Sequence, residues 1–189
     1  MILDTLDFID FYKHIEGIFS NHFSEKETKD IMEFVDILSD ANLKCYRANM
    51  IVIKERKGKA PNDKLIADME WVARSVGEYR VSSKARINLY ISQVRTEGMA
   101  SSESTWVTDD IVYSIGEMMD RLSIETIKRE DFLKNNRPGH MKEASQKLTD
   151  RVETYLKAKL KEIDKKGIYE CIQEQRTYDL EGIVEELVI

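Results

Sequence analysis

Proline is nearly absent from this chain: Pro61 and Pro138 are the two in 189 residues, beside only eight glycines. So few backbone breakers exclude collagen-like and low-complexity chains, and they speak against an all-β fold with its many tight turns. Cysteine is as sparse, with Cys45 and Cys171 far apart and no CxxC spacing, which excludes a disulfide scaffold and a thiolate zinc site. The three histidines, His14, His22 and His140, belong to no HExxH, ExxH or Cys/His cluster, so nothing points to zinc or di-iron chemistry. No apolar run reaches 18 residues, so no membrane span is expected. The opening MILDTLDFIDFY lacks the charged-then-apolar layout of a signal peptide, and a cytoplasmic location is expected. There is no GxGxxG, GxxxxGK[ST] or GxSxG.

Charged residues make up 34% of the chain and hydrophobic ones 42%. Together with the missing breakers this predicts an all-α fold, a bundle of helical hairpins with about six to eight helices. Residues 4–22 place Phe8, Phe11, Tyr12, Ile15, Ile18 and Phe19 on one helical face. Ser24 and Glu27 form an S-x-x-E capping box that opens a second helix near Glu25, with Ile31, Phe34, Val35 and Leu38 inward. Residues 43–60 fit a helical stripe, although Met50, Ile51, Val52 and Ile53 permit a short strand near 49–54. Asp63 is expected to cap a helix to about Tyr79. Ser82 or Ser83 then interrupts it before a stretch over 83–97 with Ala85, Leu89, Tyr90 and Val94 on its core side. GMASSEST, 98–105, is the expected boundary between an N-terminal part, 1–98, and a C-terminal hairpin and tail, 99–189, of one compact domain. A helix over 141–165 carries Leu148, Val152, Tyr155, Leu156 and Ile163, and Lys165-Lys166-Gly167 reads as its stop. Short helices near 168–176 and 180–188 would finish the chain.

The cleanest segment is Thr108–Leu133. Thr108 offers an N-cap, with Asp109 and Asp110 in the first turn. Ile111, Val112, Ile115, Met118, Met119, Leu122, Thr126 and Leu133 share one face, and Asp110, Glu117, Asp120, Arg121, Lys128 and Asp131 the other, expected to be solvated. Asn135, Asn136, Pro138 and Gly139 stop it. Within it, Gly116, Glu117, Met118, Met119, Asp120, Arg121, Leu122, Ser123, Ile124, Ile127 and Lys128 resemble a short signature of uncharacterised helical proteins of bacteria and phages. The resemblance spans Ser114–Glu130, under a tenth of the chain, and implies a helix and a phage-related origin without an activity.

Three functional readings follow. Acidic pairs at i, i+3 (Glu27/Asp30, Glu33/Asp36, Glu117/Asp120) have the spacing by which all-α nucleotide phosphohydrolases hold Mg²⁺. Chance spacing in a chain with 35 acids is the simpler account, so no metal, cofactor or catalytic residue is nominated. The net charge of −6 is uneven: residues 44–95 carry 12 basic and 5 acidic residues, while both flanks are acidic. Lys54, Arg56, Lys57, Lys59, Arg80, Lys84 and Arg86, with Tyr79 and Tyr90 interleaved, are the candidate binding residues. They would meet nucleic acid, or else the chain's own acids. The leading expectation is a small cytosolic helical adaptor or regulator, not an enzyme. It binds another macromolecule, a protein partner or a second copy of itself before nucleic acid, and no membrane.

Overall fold

The structure, a computed structural model, describes residues 8–96 and 109–170. Five helices make it up: α1 (Ile9–Phe19), α2 (Glu25–Arg56), α3 (Asp63–Thr96), α4 (Asp109–Lys134) and α5 (Gly139–Glu170). The fold is all-α, and no strand occurs among the described residues. The expected six to eight helices reduce to five there because three expected interruptions do not occur. Residues 49–54 lie inside α2, where Ala48 and Val52 continue the buried face of Ile31, Val35 and Leu38. Ser83 does not interrupt α3; its hydroxyl donates to the Tyr79 carbonyl one turn back, a bond the helix accommodates. Nor does Lys165-Lys166-Gly167 stop α5, which runs to Glu170; an interior glycine costs about 1 kcal/mol and does not by itself end a helix. Thr108, the 98–105 boundary and the 180–188 helix fall outside the described residues, as does 168–176 beyond Glu170.

The ends of the helices follow local chemistry. Ser24 and Glu27 make both bonds of the capping box that starts α2. Asn62, not Asp63, caps α3, its side-chain oxygen accepting from the Leu65 N–H at 3.1 Å. At the end of α4, Asn136 sits at φ 47°, the left-handed region that asparagine tolerates. The Arg137 N–H bonds the Phe132 carbonyl and the Asn136 N–H bonds that of Leu133. This six-residue wrap satisfies the last carbonyls and turns the chain into α5.

One core runs through both halves of the chain. Phe11, Ile15, Ile18 and Phe19 of α1 join Ile31, Val35 and Leu38 of α2, Ile87 and Ile91 of α3, Ile115, Met119 and Leu122 of α4, and Leu148, Leu156 and Leu160 of α5. The second half of α3 is deep in this core. Its first half is not: Leu65, Ile66, Met69, Val72 and Val76 are only half-buried. No helix among the described residues is long and apolar enough to cross a membrane.

α4 departs most from its sequence pattern. Of its apolar stripe, Ile115, Met118, Met119 and Leu122 are buried as expected, Thr126 is half-buried and Leu133 is 62% exposed, while the side chains of Ile111 and Val112 lie outside the description. But its polar side is covered too: Asp120, Ser123, Ile127 and Asp131 are all buried, as is Glu125 at the edge of the apolar stripe. From Ile115 to Glu130 no residue is exposed. A helical wheel assigns polar residues to solvent; here α2 and α3 cover one side of α4 and α5 the other. The buried acids are kept because each finds a hydrogen-bond donor there.

Candidate functional site

The seven basic candidates divide into two groups. Lys54, Arg56, Lys57 and Lys59 surround the end of α2 and the turn after it, all exposed. Lys54 and Arg56 occupy the last turn of α2, where cations favour the negative end of the helix dipole. Arg56 reaches across to Glu70 of α3. Arg86 is exposed 23 residues beyond Asp63 along α3, about 35 Å at 1.5 Å per residue. Arg80 and Lys84 turn the other way, into the seam between α3 and α4.

That seam holds a connected set of polar contacts. The Arg80 Nε donates to Asp120 Oδ1 at 2.6 Å and its terminal nitrogen donates to Oδ2, a two-pronged pair. The hydrogen bonds to Asp120 raise the Arg80 pKa above its ordinary value, against the opposing effect of burial. Asn42 of α2 donates to the same carboxylate at 3.0 Å. One turn away Lys84 pairs with Glu117 at 2.5 Å. Beside them the Asn88 side-chain oxygen accepts from the Gly116 N–H at 2.9 Å. A Cβ on Gly116 would sit 2.7 Å from the Lys84 carbonyl oxygen, so the two helices approach too closely for any other residue. Gly116, Glu117 and Asp120 are thus the α4 side of a packing seam.

A second polar cluster was not legible from the basic block. Glu125, fully buried, accepts from Ser145 at 2.6 Å and pairs with Lys128 at 3.1 Å and Arg121 at 3.3 Å. It falls seven residues after Met118, within the apolar stripe. A lone carboxylate in that position is the signal that α5 must bring a donor.

The acidic pairs are committed in the same manner. Glu27 closes the α2 cap, Asp30 accepts from the Tyr90 hydroxyl, Asp36 from the Tyr12 hydroxyl at 2.6 Å, and Glu117 and Asp120 are in the seam. No group of three or more potential ligands that could hold a metal ion occurs among the described residues. Burial, with Asp36 next to it, drives the Tyr12 pKa well above its ordinary value, and burial with Asp131 does the same to Tyr46.

The histidines join helices. His14 pairs with Glu153 of α5 at 2.9 Å, and His22 with Asp164. Arg95 joins Asp164 at 2.8 Å while lying 4.4 Å over the Phe23 ring. Between α1, α4 and α5 a cleft of about 440 Å³ is floored by Phe11, Ile15 and Leu122. On its rim His14 pairs with Glu153, and Arg129 reaches out of it to Gln146 at 3.0 Å.

The outer face of α3 is different. Trp71 is 69% exposed, Tyr79 67%, Val81 62% and Leu89 55%. Leu89 and Ala85, expected in the core, point to solvent, and Ile87 and Ile91 take the buried places. Half of the large apolar side chains exposed among the described residues are on this helix. No protein-family model matches the chain, and neither does any curated protein or solved structure.

Proposed function

We propose that the chain is a small cytosolic helical adaptor or regulator that acts by binding a protein through the outer face of α3. The observation that carries this reading is the exposure of Trp71, Tyr79, Val81 and Leu89 on one helix. Scattered apolar residues are normal on a surface, but tryptophan and tyrosine left largely in water on one helix are the side chains that anchor protein interfaces. The buried polar groups support the same reading, since they are engaged in holding helices together. Of the seven-charge excess of residues 44–95, at least four cations pair with acids outside the segment, Lys44, Arg80, Lys84 and Arg95. A phosphate backbone is left mainly the lysines of the α2–α3 turn.

The test is a native pull-down with the wild-type chain, with Trp71→Glu/Leu89→Glu, and with Lys54, Arg56, Lys57 and Lys59 all changed to Glu, each with and without nuclease. Proteins held by the wild type, released by the α3 changes and indifferent to nuclease are the expected result. Retention that depends on the four cations and on intact nucleic acid would replace this reading with nucleic-acid binding.

A further inference from the structure

The four exposed apolar residues of α3 are placed symmetrically along it. Trp71 and Leu89 lie nine residues to either side of position 80, and Tyr79 and Val81 one residue to either side. Eighteen residues are five full helical turns, so Trp71 and Leu89 share one azimuth about 27 Å apart. At 100° per residue Tyr79 and Val81 fall on opposite flanks of that line. Between the two ends the line carries the half-buried Ser75, the exposed Ser82 and Ala85, all small, and the longer Glu78.

We infer that the occupant of this face is a second copy of the chain, its α3 packed antiparallel on the first about a two-fold axis at residue 80. This rests on the reading of α3 as the binding surface and names its partner. A two-fold interface must be self-complementary, the same patch serving both subunits. An antiparallel pair centred at 80 sets Trp71 of each copy on Leu89 of the other. Tyr79 meets its own mate along one flank, and Val81 its mate along the other. The small residues between allow the helix axes the close approach of about 8–10 Å at which side chains interlock. Glu78 and its mate come near each other beside the axis, each against Ser82 of the other copy, whose hydroxyl can donate to it. Arg74 and Arg86, on opposite flanks of their own helix, do not face each other across the axis. A partner of unrelated shape has no need for this symmetry.

Sedimentation velocity and light scattering over a range of concentrations test it. The expected result is a species of twice the 22.0 kDa chain mass, reduced to the monomer by Trp71→Glu/Leu89→Glu with helical circular dichroism unchanged. In a Cys45→Ser/Cys171→Ser background, Ser82→Cys should cross-link to its mate through a short bismaleimide, and Lys29→Cys on α2 should not. A chain monomeric at all concentrations overturns the inference, as does a dimer that survives the α3 changes or cross-links from Lys29→Cys alone. A monomer whose pull-down still depends on Trp71 and Leu89 overturns the two-fold pairing and leaves the binding surface standing. A monomer indifferent to those residues in both experiments overturns both.

Discussion

At the scale of the residue, buried charge is tolerated where every lone pair and proton is answered. Asp120 takes two donors from Arg80 and one from Asn42. Removing it strands both. Asp120→Ala is expected to lower the unfolding free energy by about 2 kcal/mol, below the ~3–5 kcal/mol for a fully dry pair because the Arg80 side chain keeps 31% of its surface in water. An unchanged urea midpoint would refute that. Tyr12 and Tyr46 give the chain an alkaline limit. Their pKa values are raised in the folded state above the ordinary 10, so the neutral phenols are the stabilising form. That contribution is whole below pH 10 and is lost as pH rises toward the folded-state values. Denaturation midpoints measured from neutral pH to above pH 10 should therefore fall more steeply for the wild type than for Tyr12→Phe/Tyr46→Phe. Parallel curves would show that neither phenol is linked to folding.

At the scale of the element, what was legible in the sequence depended on how each helix is covered. α1 and the start of α2 have one buried side and a cap written in the residues, and Phe11, Ile15, Ile18, Ser24 and Glu27 do what their spacing predicts. α3 was misread because its solvent face carries Leu89 and Ala85, which count as core in any hydrophobic stripe, while Ile87 and Ile91 take the inward side. The stripe sees hydrophobicity and cannot see which side a neighbour occupies. The register can be checked directly. Ile87→Ala should cost about 2–5 kcal/mol, as for a large core side chain. Leu89→Ala should cost less than about 0.5 kcal/mol at dilutions where the chain is monomeric. Equal losses would mean that α3 is rotated from the arrangement described. The charged side of α4 was misread for the opposite reason: Asp120 and Asp131 look like a solvated face until Arg80 of α3 and Tyr46 of α2 are brought to them by the fold. Of the seven basic candidates, the wheel had no means of telling Arg80 and Lys84, which turn inward, from Arg86, which does not.

At the scale of the whole molecule, α4 joins the α2–α3 pair on one side to α5 on the other. The two parts of the chain on either side of the 98–105 segment therefore share one interior. The charge imbalance read from the sequence is partly absorbed across that interior, since Arg80, Lys84 and Arg95 are matched by Asp120, Glu117 and Asp164. What is left for encounter with other molecules is the cationic turn after α2 and the aromatic ridge of α3. The enclosure of Ile115–Glu130 has one more consequence. No residue in that stretch is exposed, so what the segment determines is how the helices assemble. Two chains sharing Gly116, Glu117 and Asp120 would have inherited the same joint between helices, and each would be at liberty to use its outer faces for a different purpose.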